Sequence, residues 1–303
     1  MRTSIVIPTF NAGAEFPALL ETLRTQKPSP PDEIVVIDSG SSDQTIEIAR
    51  KAGAKVIENQ RRYNHGATRD AGIAATSGDI VVLTVQDALP ASPDWLRRIT
   101  RHFDDPSVAG VSTRQIPPPD GPLELQIKAE LEAAQTVARI TLADHPRYST
   151  YSPAQRLELY RFDNVSSALR RSVWEKLPFG DCRYAEDLLW ARRALEAGHT
   201  LVRDPGAPVI HAHRRGFIYE LRRALLDAWV LDEAFGYRYR IREKLGRARA
   251  LGPSGANGRR PRMRERLGAL KIYSAHVLGR GLYSGLRAIG FGDKRLSQWT
   301  QGI

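Results

Sequence analysis

The chain has 303 residues, 42% hydrophobic and 26% charged, which suits a soluble globular protein of one large domain or one domain with an extension. Its one cysteine, Cys182, excludes an internal disulfide framework and fits a reducing compartment. No stretch approaches the roughly 18 apolar residues that a membrane-spanning helix needs, and no signal-peptide pattern opens the chain. We therefore expect a cytoplasmic protein.

Short apolar runs alternate with segments of helical periodicity over the first 112 residues. The runs predict strands at Ser4–Ile7, Glu33–Ile37, Lys55–Ile57, Ile80–Val85 and Val108–Ser112. Helices are predicted between them at 14–26, 44–52, 65–77 and Trp95–Phe103. This alternation predicts an α/β fold with a mainly parallel sheet sandwiched by helices, in which ligands bind at the carboxyl ends of the strands.

The predicted elements become less regular after a proline-rich linker at 117–122. We expect a helix at 123–142, a strand at Asn164–Leu169, a helix at Tyr184–Ala197, and short strands at Leu201–Arg203 and Val209–His211. Basic helices are expected at Phe217–Ala250 and 263–289, with a Gly/Pro/Arg loop at Gly252–Arg262 between them. The chain thus divides into an α/β region, 1–215, and a basic helical region, 216–303.

The positive charge lies in the last third of the chain. Residues 214–303 hold 20 Lys and Arg against 7 Asp and Glu, a net charge of +13, whereas residues 1–213 have a net charge of −2. This asymmetry predicts an anionic partner: the inner surface of the cell membrane, an anionic lipid-linked substrate or a nucleic acid. The alternative is a solvated helical surface.

Polar residues follow three of the predicted strands, at Thr9–Asn11, Asp38–Asp43 and Asp87. Asp38 comes too early to cap the next helix, so we interpret it as a ligand of a nucleobase or ribose, whereas Asp43 is better placed as a cap. Asp87 could hold a divalent cation on a diphosphate, with a turn aspartate before Pro90 as the alternative.

Three further groups are candidates for chemistry. His65 and Arg69 begin a predicted helix that would favour a diphosphate, although Arg69 could instead pair with Asp70 or a surface acid. Of two adjacent acids, Asp187 could be a general base, or the pair could only complement a helix dipole. His211 and His213 share one face of a strand, and one of them could complete a metal site with Asp87 or hold a phosphate.

In this order the segments resemble glycosyltransferase family 2, which has the GT-A fold. The resemblance covers roughly residues 3–215. It rests on Ile5-Val6-Ile7-Pro8-Thr9-Phe10-Asn11, Val35-Val36-Ile37-Asp38-Ser39-Gly40-Ser41-Ser42-Asp43, the Arg69–Gly72 helix, Gln86-Asp87, Glu186-Asp187 and the two histidines. Tyr63–Arg69, Thr84–Ala88, Asp163–Ala168 and Trp174–Phe179 are similar to the rhamnosyltransferase branch. In two places the chain departs from the family pattern: Val85 replaces the first of two metal-binding acids, and Asp70 replaces an asparagine.

The resemblance implies an inverting glycosyltransferase of cell-surface polysaccharide or glycoconjugate synthesis. It implies dTDP-L-rhamnose as donor, with UDP- and GDP-sugars as alternatives, a glycan or lipid-linked acceptor, and Mg²⁺ or Mn²⁺ as cofactor. Asp187, beside Glu186, would be the catalytic base, and Asp87 with His213 would bind the metal. The residues implied to bind the donor are Pro8, Thr9, Asn11, Asp38, Ser39, Gly40, His65, Arg69, Gln86 and Asp87.

Two other functions compete with this one. A nucleotidyltransferase shares the α/β sheet, but it ordinarily has a Gly-rich phosphate loop where this chain has Pro8-Thr9-Phe10-Asn11. A nucleic-acid-binding protein would need aromatic residues among the basic ones, for which Tyr237 and Tyr239 are a weak match. The basic region could also form a contact between copies of the chain in a homo-oligomer.

Overall fold

The computed structural model describes residues 1–59, 64–119, 121, 125–126, 129, 135–213, 216–238 and 263–288. The strands are β1 (Thr3–Thr9), β2 (Glu33–Asp38), β3 (Lys55–Glu58), β4 (Ile80–Thr84), β5 (Leu89–Pro90), β6 (Val108–Ile116), β7 (Ala138–Ile140), β8 (Ser166–Arg170) and β9 (Thr200–Ile210). The helices are α1 (Phe16–Arg24), α2 (Thr45–Lys51), α3 (His65–Ala74), α4 (Trp95–Thr100), α5 (Pro153–Leu159), α6 (Arg171–Trp174), α7 (Glu186–Glu196), α8 (Phe217–Phe235) and α9 (Met263–Ala288). The chain forms two compact units, Met1–Ile116 with Glu132–His211, and Pro117–Leu131 with Ala212–Ile303.

A nine-stranded sheet runs through the first unit in the order β3-β2-β1-β4-β8-β6-β9-β5, with β7 paired to β9. β1 to β4 are parallel to one another, as the alternation of strands and helices predicts. β8 lies antiparallel between β4 and β6, and β6 is parallel to β9. The predicted α/β class with its mainly parallel sheet is confirmed, and the second half of the sheet is mixed.

The continuous apolar runs of β1, β2 and β4 are explained by burial on both faces of the sheet. Helix α1 buries Phe16, Leu19, Leu20 and Leu23 in the core that also holds Ile5 and Ile7 of β1. Burying one such side chain contributes about 1.5–3 kcal/mol. This core fixes the strands in place, so that the residues after Thr9, Asp38 and Thr84 lie at one edge of the sheet.

Three predicted elements differ from the structure. The C-terminal part of the helix expected at 123–142 is strand β7, which pairs with β9. The two strands expected at Leu201–Arg203 and Val209–His211 form one strand, because an irregularity opposite Thr113 and Gln115 absorbs the Pro205-Gly206 turn. Between the predicted helix 123–142 and the predicted strand Asn164–Leu169, where no element is predicted, α5 forms behind a capping box at Ser152.

The second unit contains α8 and α9, which pack against each other. Helix α8 ends at Phe235, where Gly236 follows with a left-handed φ of +65° that is typical of a helix end. The buried Asp232 accepts hydrogen bonds from Tyr283 Oη at 3.0 Å and Arg238 Nε at 3.2 Å. Among the described helices, none has the length and apolar character to cross a bilayer. The predicted loop Gly252–Arg262 lies outside the described residues.

Candidate active site

The loops after β1 and β2 are joined through the buried carboxylate of Asp38. Its Oδ2 accepts hydrogen bonds from Thr9 Oγ1 at 2.8 Å and Ser41 Oγ at 2.5 Å. Its Oδ1 accepts from the backbone N–H groups of Gly40 and Ser41 at 3.0 and 2.8 Å. Gly40 has a φ of +92°, a conformation that favours glycine. Asp38 thus shapes the loop by engaging four donors of the chain itself, and its contact with a nucleobase or ribose stays a prediction.

Other predicted donor-binding residues surround this pair of loops. The Asn11 N–H donates to Ser41 Oγ at 2.8 Å, and Asn11 Oδ1 accepts from the Ser42 N–H at 2.8 Å. Pro8 is buried within β1. Ser39 Oγ is buried without a hydrogen-bond partner in the described part of the chain, which is unusual for a buried hydroxyl. The fold therefore brings Thr9, Asn11, Ser39 and Gly40 together where β1 and β2 end, with Pro8 in the strand that leads there.

Gln86 and Asp87 follow β4 at the same edge. The side-chain amide of Gln86 forms two hydrogen bonds with the backbone of Phe10. It accepts one from the Phe10 N–H at 2.8 Å and donates one to the Phe10 carbonyl at 3.2 Å. Gln86 therefore links the β4 loop to the β1 loop. Phe10, a residue that the sequence reasoning missed as a site residue, leaves 56% of its surface exposed beside this link.

Asp87 is close to His211, the residue that directly follows β9. Its Oδ1 lies 3.3 Å from Nε2 of His211. A carboxylate and an imidazole are both possible ligands of a divalent metal. The sequence predicts Asp87 and His213 as metal ligands, and the structure brings His211 against Asp87. His213 belongs to the second unit, so its part in a metal site stays a prediction.

Arg69 and His65 form a cluster with Glu186 at the start of α3. Arg69 Nη1 lies 3.0 Å from Glu186 Oε1, and the two side chains are only 5% and 6% exposed. Burial lowers the pKa of His65, whose ring lies beside Arg69. The guanidinium is therefore paired with an acid 117 positions away and not with Asp70. A diphosphate could reach Arg69 only if this pair opened, so donor contact by His65 and Arg69 stays a prediction.

Asp70, which replaces the family's asparagine, has a separate structural role. Its carboxylate accepts hydrogen bonds from Trp174 Nε1 at 2.7 Å, from the Phe179 N–H at 3.0 Å and from the Gly180 N–H at 2.7 Å. Asp70 thus holds the loop that precedes α7 against α3. Its charge is satisfied there by three donors.

Asp187, in the first turn of α7, is half-buried beside two other acids, Glu186 and Asp163. Burial of the carboxyl, reinforced by the carboxylates of Glu186 and Asp163, raises the pKa of Asp187 to about 8. The preceding Ala185 has a left-handed φ of +59°, which a residue with a side chain adopts at a cost and which is common at functional sites. A carboxyl group tuned close to neutral pH is suited to proton transfer.

Asp163 and Gln115 were missed as site residues, and they connect the two carboxylates. Gln115 Oε1 lies 2.7 Å from Nδ1 of His211, and its Nε2 donates to Asp163 Oδ2. A continuous set of contacts therefore runs from Asp87 through His211 and Gln115 to Asp163, whose charge acts on Asp187. The sequence signal for Gln115 was its place at the carboxyl end of an apolar strand.

A model of glycosyl transferase family 2 matches residues 4–176, more than half of the chain. The chain belongs to glycosyl transferase family 2. This family 2 chain is 31% identical over 219 residues to the O-antigen chain rhamnosyltransferase RfbN of Salmonella typhimurium. The aligned region covers 70% of this chain and 67% of RfbN. It is 30% identical over 218 residues to the O-antigen chain rhamnosyltransferase WbaN of Salmonella anatum, and the aligned region covers 69% of this chain and 66% of WbaN.

The fold of this family 2 glycosyltransferase is shared with solved enzymes. The mannosyltransferase PcManGT of Pyrobaculum calidifontis, solved in complex with GDP-Man and Mn²⁺, matches with a TM-score of 0.56 at 19% identity and covers 99% of this chain and 83% of its own. At this identity the likeness concerns the fold. The protein is a glycosyltransferase, as predicted, and the nucleotidyltransferase and non-enzymatic alternatives are not supported.

Proposed function

We propose that this glycosyltransferase transfers L-rhamnose from dTDP-L-rhamnose to a hydroxyl of a glycan or lipid-linked acceptor, with inversion at the anomeric carbon and with a divalent metal as cofactor. The observation that carries the proposal is the series of contacts that joins Asp87, the predicted metal ligand, to the acid cluster at Asp187. The choice of L-rhamnose is supported by the resemblance to RfbN and WbaN, which are named O-antigen chain rhamnosyltransferases.

Asp87 and His211 would hold the metal, and His213 is the further ligand that the family resemblance implies. The carboxylate of Asp87 suits Mg²⁺ and Mn²⁺ alike. We favour Mn²⁺ because the mannosyltransferase PcManGT was solved in complex with GDP-Man and Mn²⁺. Bound there, the cation would neutralise charge on the leaving diphosphate.

Asp187 would be the base that accepts the proton of the acceptor hydroxyl. Its Oδ1 is fixed by the Leu188 N–H at 2.8 Å, which sets the plane of the carboxyl group. A pKa near 8 gives the carboxylate more basicity than an ordinary aspartate and leaves a fraction ionised at neutral pH. Attack by the hydroxyl oxygen on the anomeric carbon then breaks the bond to the diphosphate in one displacement, which inverts the configuration.

The loop around Asp38 would receive the nucleoside of the donor. Two buried polar atoms there or nearby, Ser39 Oγ and Arg69 Nε, have no hydrogen-bond partner within the described residues. Such groups are costly unless another molecule satisfies them. The exposed ring of Phe10 lies beside the same loop and offers an aromatic face to a nucleobase.

The donor and cofactor can be tested directly. Purified protein would be titrated calorimetrically with dTDP, UDP and GDP in Mn²⁺, Mg²⁺ or EDTA, and release of nucleoside diphosphate from the matching sugar donors would be followed. We expect dTDP to bind most tightly, with Mn²⁺ required. Preference for UDP or GDP would contradict the rhamnose assignment, and full activity in EDTA would contradict the metal.

A lipid-linked acceptor would place the enzyme in the cytoplasm at the inner face of the membrane. The basic region supports this, because Arg222 and Arg223 are exposed on α8 near the 58% exposed Ile218. Flotation with anionic vesicles at low salt, compared with neutral vesicles, tests it. We expect binding to the anionic vesicles alone, and Arg222→Glu with Arg223→Glu should weaken it; no flotation at low salt would contradict the proposal.

A further inference from the structure

Gln115 is held between a carboxylate and a histidine by both ends of its amide group. Its Nε2 donates to Asp163 Oδ2, and its Oε1 lies 2.7 Å from Nδ1 of His211. Asp163 is itself fixed, since its Oδ1 accepts from the Val165 N–H at 2.9 Å. The side chain of His211 is only 10% exposed, and its Nε2 lies 3.3 Å from Asp87 Oδ1.

The direction of each hydrogen bond in this series follows from the chemistry of the groups. A carboxylate only accepts, so the amide nitrogen of Gln115 must face Asp163 and the amide oxygen must face His211. An amide oxygen also only accepts, so Nδ1 of His211 must carry the proton. In the neutral ring, Nε2 then presents its lone pair toward the carboxylate of Asp87.

Two acceptors facing each other at 3.3 Å repel unless a positive charge is shared between them. A proton on Nε2 or a metal cation can supply that charge. Histidines that bind metals through one nitrogen ordinarily donate a hydrogen bond from the other, which fixes the ring and its tautomer. The hydrogen bonds from Asp163 to His211 have the same order, because Nδ1 of His211 donates to Gln115 and Nε2 is left to face a cation.

We propose that Gln115, anchored by Asp163, is a positioning residue that holds His211 as the Nδ1–H tautomer with its Nε2 aimed at Asp87, ready to bind a cation. The part of this inference that concerns a cation rests on the proposed metal dependence, whereas the tautomer does not. Gln115 touches neither donor nor acceptor in this role. It acts through His211.

The tautomer can be read in the metal-free protein. Long-range ¹H–¹⁵N correlation NMR at alkaline pH, where imidazoles are neutral, distinguishes the two ring nitrogens, and a His211→Gln variant assigns the signal. We expect Nδ1–H for His211 in the wild type and in Gln115→Glu, which keeps an acceptor at this position. Gln115→Met, of similar length but without polar atoms, should shift the ring toward Nε2–H, the form favoured in water. An Nε2–H ring in the wild type, or an unchanged tautomer in Gln115→Met, would overturn the inference.

Binding of Mn²⁺ alone, followed by electron paramagnetic resonance, supplies a second readout. We expect Gln115→Met to weaken Mn²⁺ binding by about 10–100-fold, the range typical of partners behind a metal ligand. Gln135→Met, the same change at an exposed position, is the matched control and should bind as the wild type does. Equal affinity in Gln115→Met and the wild type would contradict the role of Gln115. A wild-type protein that binds no Mn²⁺ but holds the Nδ1–H tautomer would contradict the proposed function and support the positioning role.

Discussion

Two aspartates among the predicted site residues have opposite surroundings. Asp38 is buried among four donors, two hydroxyls and two backbone N–H groups, so its negative charge is stabilised within the chain. Asp187 is placed next to two other acids, and its surroundings disfavour the charged form. The comparison teaches that a carboxylate whose hydrogen bonds are satisfied builds the site, whereas one held in an unfavourable state can perform chemistry.

The largest expected effect is a loss of turnover when Asp187 is replaced. Asp187→Asn should reduce kcat by roughly 10²–10⁴-fold, because the acceptor proton loses its base, while binding of dTDP in calorimetry stays the same. Asp144→Asn, an exposed acid, is the control. Near-normal turnover in Asp187→Asn would remove Asp187 from the chemistry.

Asp38, in contrast, should contribute mainly to the stability of the fold. Asp38→Ala leaves the buried donors around it without an acceptor, and we expect the free energy of unfolding to fall by about 2–4 kcal/mol in urea at pH 7. Asp43→Ala, which removes an exposed carboxylate that accepts from the Thr45 N–H, should cost about 1 kcal/mol or less. Equal losses in the two variants would mean that Asp38 is not the centre of the loop.

The pH dependence of activity sharpens the comparison. If ionised Asp187 is the base, kcat/KM should rise about tenfold per pH unit below a midpoint near pH 8 and level off above it. Glu186→Gln removes one of the neighbouring charges and should move the midpoint to lower pH. A flat profile between pH 6 and 9 would contradict the raised pKa of Asp187.

The stability of the protein should also depend on pH through Asp187. Because the folded pKa of Asp187 lies above its unfolded value, the folded protein retains a proton that the unfolded chain loses, and wild-type stability falls as pH rises from about 4 to about 8. Asp187→Asn has no such titration, so its advantage over the wild type should grow by up to about 1.4 kcal/mol per pH unit across this range. An advantage that is constant with pH would contradict this account of Asp187.

Much of the sheet was predictable because parallel strands buried on both faces leave continuous apolar runs, as at Val35–Ile37 and Ile80–Leu83. The same logic placed Thr9, Asp38 and Asp87 at one edge. The β9 strand was harder to predict, because Pro205-Gly206 is typical of a turn and only pairing with β6 carries the strand past it. The capping box at Ser152 was readable but was missed.

The residue types of the candidate site follow from the sequence, whereas the contact partner of each residue does not. Arg69 pairs with Glu186, and Gln115 contacts His211 from 96 positions away, so neither contact has a local signal in the sequence. The raised pKa of Asp187 likewise depends on Asp163 and on burial, which only the folded chain creates. Residue type and spacing indicate which residues to consider for chemistry, while tertiary packing decides what each one faces.

The first turn of α3 is fastened to the segment that leads into α7, and this limits how the enzyme could be redesigned. A Cβ at Gly66 would stand 2.3 Å from the carbonyl oxygen of Gly180, and the Gly66 N–H already donates to the Cys182 carbonyl at 2.8 Å. Position 66 therefore tolerates no side chain. Mutant libraries designed to change acceptor specificity should therefore keep the contact of Gly66 with Gly180 and Cys182 and vary exposed positions elsewhere.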